Sequence, residues 1–189
     1  MRLLRWTGLA LLVTGVAAVA AGTLWYRLDR PAALAAACRI GLPNFSRPKA
    51  IEAHEIGCHI LGPKRHVRGV LVSAFEVSSL DSADRGTPPK GGGFGGTWYS
   101  STRSSKGSEA LDRQLAKPIP GLCGIGFASV TVEGWATLSS GHYGHMGIYS
   151  REFFADRVIA VGPPPADLLD RVRAEYRKAG FTGKECVGL

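Results

Sequence analysis

From Trp6 to Tyr26 the chain carries no charged residue. About 21 residues rising about 1.5 Å each cover the roughly 30 Å hydrocarbon layer of a bilayer. Arg2 and Arg5 precede the run, and Arg27, Asp29, Arg30 and Pro31 end it. Trp6 stands at one border, with Trp25 and Tyr26 at the other, where amphipathic rings favour the headgroup level. Residues 6–26 are therefore expected to form a single transmembrane anchor. No second apolar run reaches spanning length, which excludes a polytopic transporter or channel.

Two other layouts compete with an anchor. A cleaved secretory signal needs a small-residue cut site, and Ala18-Val19-Ala20 supplies one. The apolar stretch continues past it to Tyr26, which favours retention of the segment. Lipidation at Cys38, in Leu34-Ala35-Ala36-Ala37-Cys38, is disfavoured because the charges from Arg27 to Arg30 separate that cysteine from the apolar core. All three layouts export the bulk of the chain. Arg2 and Arg5 face Arg27 and Arg30 across the run, so charge bias adds little. The expected location is the bacterial inner membrane, single-pass, with the folded part in the periplasm or outside.

Cysteine usage fits an oxidising compartment. Cys38, Cys58, Cys123 and Cys186 are even in number and allow three pairings. Cys38–Cys58 with Cys123–Cys186 is the favoured set, and a loop of the first pair's size contributes about 3 kcal/mol in the chain-entropy model. Four buried free thiols are the competing state.

Beyond the anchor (1–27), residues 28–62 read as a connector with a short helix, and 63–189 as the folded domain. Pro31, Pro43 and Pro48 punctuate the connector. After Pro48, the residues Ile51, His54, Glu55 and Cys58 share one helical face, and Gly62-Pro63 stops the helix. Val67 to Ser79 reads as one strand buried on both faces for part of its length. The glycine-rich stretch within 81–96 reads as a loop, followed by a short strand at Thr97-Trp98-Tyr99. From Phe127 to Leu138, small and apolar residues (Ala128, Val130, Val132, Ala136, Leu138) alternate with Ser129, Thr131, Glu133 and Thr137. That pattern predicts a half-buried antiparallel strand, bulged or bent at Gly134. A further strand is expected from Ile148 to Val161, with a bulge at Phe153-Phe154. A helix from about Ala166 to Ala179 follows, with Leu168, Leu169, Val172 and Tyr176 on one stripe and Gly180 at its end.

A block of strands with helices at its ends predicts a mainly β (α+β) domain. The expected form is a small antiparallel barrel of the oligonucleotide/oligosaccharide-binding (OB) type or a curled sheet, with a C-terminal amphipathic helix. Hydrophobic content of 45% against 20% charged residues argues against a disordered chain.

Chemistry is harder to read. The glycine run before Thr97 lacks the following Lys and Ser or Thr of a phosphate-binding loop. Serines are plentiful, yet there is no Gly-x-Ser-x-Gly elbow and no Ser-x-x-Lys placed at a helix start. Glu76 and Glu133 form a carboxylate pair of a kind any strand protein presents, so solvated strand faces account for them. His54, Cys58 and His59 lie close in sequence, and His142 and His145 bracket Tyr143-Gly144. Zinc uses such local pairs, but no second pair has a settled spacing, and no metal or cofactor is expected. The net charge of +8 gathers partly in Lys64, Arg65, His66 and Arg68, and in Arg171, Arg173, Arg177 and Lys178. A basic barrel suits single-stranded nucleic acid, but export argues against that partner and favours anionic lipid headgroups or an acidic envelope polymer.

The most distinctive segment runs from Gly141 to Arg151, with glycines at every third position interleaved with His and Tyr. With Phe75-Glu76-Val77-Ser78 and Trp98 upstream, it resembles uncharacterised bacterial exported or anchored small β-proteins that carry Gly-x-Tyr-Gly-His-x-Gly-x-Tyr-x-Arg. The resemblance covers about 85 residues from Val67 to Arg151, and only the glycine segment is specific. A Pro-Cys that often follows the first motif in those relatives is replaced here by Leu80-Asp81-Ser82. The resemblance implies a barrel-like fold and export, and no activity. The expected role is a non-catalytic binding or scaffolding module of the cell envelope, contacting an envelope protein, an acidic polymer or lipid headgroups. Its candidate face comprises Glu76, Trp98, His142, Tyr143, His145 and Arg151, and the strand reading allows Glu76 and Arg151 to pair across neighbouring strands, a contact as easily structural as functional. The alternatives are a metal site on His142 and His145, or an enzyme of unrecognised class.

Overall fold

The computed structural model describes residues 2–82, 96–122 and 124–180. Cys123, Cys186 and most of the glycine-rich stretch lie outside the described residues, and with them the second proposed disulfide.

The apolar run folds as one helix, α1 (Arg2–Leu28), whose Leu11–Leu28 stretch is long and apolar enough to cross a membrane. A signal sequence satisfies the same length and composition. The connector holds more order than its prolines suggest. Asp29 caps a second helix, α2 (Arg30–Arg39), by accepting a hydrogen bond from the Ala32 amide at 3.1 Å, and Pro31 occupies the first turn where its missing N–H is not needed. The predicted helix after Pro48 is only one turn, α3 (Ala53–Ile56), closed by a reciprocal capping box between Glu52 and Glu55.

Five strands then close into a barrel in the order β1-β2-β3-β5-β4, the five-stranded form expected of an OB-like chain. They are β1 (Arg65–Ala74), β2 (Val77–Ser82), β3 (Thr97–Lys106), β4 (Gly126–Ala136) and β5 (Arg151–Gly162). Neighbours are antiparallel except for β3 and β5, which run parallel. Helix α4 (Ser108–Leu115) makes the crossover between β3 and β4, and α5 (Ala166–Lys178) follows β5.

Four sequence expectations are corrected here. The single strand over Val67–Ser79 is a hairpin: β1 turns at Phe75-Glu76, with Glu76 in the left-handed region (φ 58°), and returns as β2. Strand-forming residues on both sides (Val70, Leu71, Val72 and Val77) hid the turn, because neither Phe nor Glu signals a reversal. The three-residue strand at Trp98 extends through Lys106, and α4 lies in a stretch where no helix was expected. The bulges of β5 fall at Asp156 and Ile159, where the register against β4 slips, and not at Phe153-Phe154.

The alternation read in β4 holds: Ala128, Val130, Val132 and Ala136 are buried, with the intervening side chains half-buried. These residues meet Val67, Leu71, Leu80, Tyr99, Phe153, Ala155, Val158 and Leu111 of α4 in one cluster. Gly134 is required by close approach, since a Cβ there would overlap the Phe154 carbonyl of the neighbouring strand. On the barrel's exterior the α5 stripe of Leu168, Leu169, Val172 and Tyr176 packs on Val72, Leu122, Ile125 and Phe127. A third cluster seats the connector, with Ile51, Ile56 and Leu61 against Phe154 and Trp135. Cys38 and Cys58 form the predicted disulfide, tying α2 to the segment just after α3.

Candidate functional site

The segment from 137 to 150 joins the end of β4 to the start of β5 and folds back on itself. Tyr143 and Tyr149 exchange backbone hydrogen bonds at 3.0 and 3.2 Å, and the Gly141 amide donates to the Ser150 carbonyl at 3.1 Å. A single helical turn, His145–Gly147, forms the tip. Gly144 lies in the left-handed region (φ 67°) directly over the Trp98 ring, and a Cβ at this position would overlap the indole carbons. The glycine spacing noted in the sequence thus has a steric cause at Gly144: backbone lies flat on an aromatic ring.

Both tyrosines of the segment are buried. Tyr149 meets Trp98 edge-on at 5.1 Å between centroids. Burial pushes the Tyr149 phenol upward in pKa, while a backbone hydrogen bond from Ser78 of β2 works against that shift. The Tyr143 hydroxyl donates to the Ser139 carbonyl at 3.2 Å and lies 3.2 Å from His59 Nδ1, with the two rings 4.6 Å apart. Burial, and then the nearby Arg39 guanidinium, hold the His59 imidazole below its usual pKa. His59 is the residue the histidine pattern did not single out for this loop, and it links the loop to the disulfide at Cys58.

The six candidate residues divide. Glu76, at the β1–β2 turn, meets His145 Nε2 at 3.2 Å, so two loops distant in sequence are joined by a side-chain contact. Trp98 and Tyr143 hold the loop from beneath and beside it. His142 is exposed, and its Nδ1 lies 3.1 Å from the Gly147 carbonyl. Arg151 opens β5 opposite Thr97 of β3. The expected Glu76–Arg151 pairing across neighbouring strands is not possible by topology, because β5 lies between β3 and β4 while β2 lies between β1 and β3. His142 contacts the Gly147 carbonyl and His145 the Glu76 carboxylate, and among the described residues no group of three His, Cys, Asp or Glu side chains could hold a metal ion.

Part of each basic cluster is engaged by carboxylates. Glu133 receives Lys64 at 2.9 Å, His66 at 2.7 Å and Arg157 at 3.2 Å, and Lys64 also reaches Asp156 at 2.5 Å. Hydrogen bonds from Lys64 and then His66 bring the Glu133 carboxyl down to about 2. On α5, Arg171 pairs with Asp167, Arg173 with Asp170 and Lys178 with Glu175.

A second carboxylate behaves oppositely. Glu152 lies at the start of β5 and accepts a hydrogen bond from the Ser100 hydroxyl at 2.6 Å. Burial raises its pKa, against the opposing effect of that bond.

What the site offers chemically is a fastened loop with a Glu76–His145 contact at its rim, an aromatic floor and apolar residues at its surface. No protein-family model, curated protein or solved structure matches the chain.

Proposed function

We propose that the chain is a membrane-tethered module of the bacterial cell envelope. In this reading α1 stays in the inner membrane as an uncleaved single-pass anchor, and the barrel lies in the periplasm or outside, where it binds or scaffolds an envelope component without catalysis. The observation that carries the proposal is the Cys38–Cys58 disulfide. It closes the connector between the apolar helix and the barrel, and such bonds persist in oxidising compartments. Support for binding over catalysis comes from the site: Glu76, His142 and His145 are engaged in holding the loops to each other and to themselves.

The test is the intact mass of protein extracted from native membranes, with and without reduction, followed by thiol alkylation. A full-length mass, with Cys38 and Cys58 alkylated only after reduction, is the expected result. A mature chain starting near Ala21 overturns the anchor. Alkylation of Cys38 and Cys58 without reduction overturns the exported location.

A further inference from the structure

We propose that one face of the molecule rests on the bilayer that α1 enters, with apolar side chains in the interfacial layer of an anionic membrane. The face is built from the connector after α2, the β1–β2 turn and the tip of the 137–150 loop. This inference rests on the tethered reading above and names the partner of the same loop site.

The first support is where apolar surface is left uncovered. Outside α1, every large apolar side chain more than half exposed among the described residues lies on these segments: Ile40, Leu42, Phe45, Phe75, Met146 and Ile148. A soluble surface scatters such residues singly, whereas their concentration on one set of loops marks an interaction face.

The segments are also stitched together. Asn44 donates to the Gly57 and His59 carbonyls at 3.0 Å each, the His59 ring packs on Tyr143, and the Leu138 amide donates to the Ile60 carbonyl at 2.9 Å. Glu76 and His145 tie the hairpin turn to the loop tip. Connector, loop and turn therefore move as one surface.

Covalent reach then places that surface near the bilayer. α2 begins two residues after α1 ends, and its 10 residues rise about 15 Å before the disulfide returns the chain to Cys58. Cys58 precedes His59, which touches the loop. The far end of the barrel, where α4 sits, has no such link.

Two backbone positions add a further sign of selection for exposure. Glu76 (φ 58°) and Met146 (φ 57°) are the non-glycine residues in the left-handed region among those described. Such conformations persist where the surroundings over-determine them, and they cluster at functional loops. Here they hold Phe75 at 87% and Met146 at 82% exposure, on two turns joined by the Glu76–His145 contact. Arg39 beside His59 and Arg151 at the loop's end supply cations for lipid phosphates, together with Arg27 and Arg30 at the end of α1. Apolar tips flanked by arginine match the interfacial layer of an anionic membrane.

The test uses the full chain in nanodiscs containing phosphatidylglycerol. A photoreactive phenylalanine analogue replaces Met146, or, in a second variant, the exposed Glu109 on α4 at the far end of β4 and β5. Irradiation followed by mass spectrometry is expected to give lipid adducts at position 146 in clear excess over position 109, and fewer adducts when the discs hold only zwitterionic lipid. Both positions are exposed, and an unchanged melting temperature for each variant establishes that its fold is intact. Equal labelling at both positions, or an adduct at 146 to a second copy of the chain, overturns the inference while leaving the tether standing. Labelling at 146 that is indifferent to lipid charge overturns the anionic preference. A chain that leaves the disc on size exclusion overturns the tether itself.

Discussion

The two ends of strands β4 and β5 are finished in different ways. At one end α4 lays Leu111 into the barrel core, and the half-buried apolar stripe of α5 packs on the exterior around Phe127, so both helices turn their apolar side chains towards the barrel. At the other end the 137–150 loop buries Tyr143 and Tyr149 beneath it yet leaves Met146 and Ile148 in solvent. Both ends are well fastened, so exposure at the loop end does not come from loose folding. The contrast teaches that the barrel's stability and its outward chemistry are separated along the same pair of strands.

The largest effect that would sharpen this contrast is a matched truncation. Leu111→Ala opens a cavity in the core, and its expected cost is about 2–5 kcal/mol. Met146→Ala, with a side chain mostly in water, is expected to change stability by less than about 0.5 kcal/mol. Denaturant unfolding followed by tryptophan fluorescence measures both. Comparable losses would show that the loop tip belongs to the core and would break the distinction.

Gly144→Ala comes next. The new methyl meets the Trp98 ring in a left-handed backbone conformation, and the expected loss is about 2 kcal/mol, from the strain of an L-residue there and the displaced indole. Near-ultraviolet circular dichroism should register the altered Trp98 environment. An unchanged spectrum and melting point would mean that the loop is not seated on the ring.

The smallest expected effect concerns the barrel wall between the two ends, where Glu133 gathers Lys64, His66 and Arg157. Its carboxyl sits at about 2 in the folded protein, against about 4.3 for a free glutamate. A lowered pKa contributes stability that is present above the unfolded value and is lost as pH falls through the folded one. The melting temperature of the native chain should therefore fall between about pH 4.3 and about pH 2, and Glu133→Gln should flatten that part of the profile. Parallel profiles for the two proteins would show that the cluster contributes nothing, as exposed ion pairs often do.

Much of the barrel was legible because its signals are local. In β4 the two-residue alternation reports one face against the core, and in α5 the spacing of Leu168, Leu169, Val172 and Tyr176 reports one stripe against a surface. The run from Val67 to Ser79 was misread for the converse reason: a turn at Phe75-Glu76 is imposed by pairing of β1 with β2 and leaves no local mark. α4 escaped notice in a polar stretch whose single buried residue, Leu111, makes a weak pattern. At the site, the glycine segment announced an unusual turn, but its floor at Trp98 and its buttress at His59 lie 46 and 84 residues from Gly144 and Tyr143 respectively.

By itself the sequence determined the apolar N-terminal helix, the β-rich barrel class and the amphipathic final helix, and it favoured Cys38–Cys58 among three possible pairings. Each depends on periodicity, length or separation along the chain, which are properties of the sequence alone. Only the tertiary structure decided that Glu76 would meet His145 and not Arg151, that Tyr143 would be buried, and that the exposed apolar residues would gather on one tethered face. Those outcomes depend on which strands lie side by side, and barrel closure sets that order through long-range hydrogen bonding that no local pattern encodes.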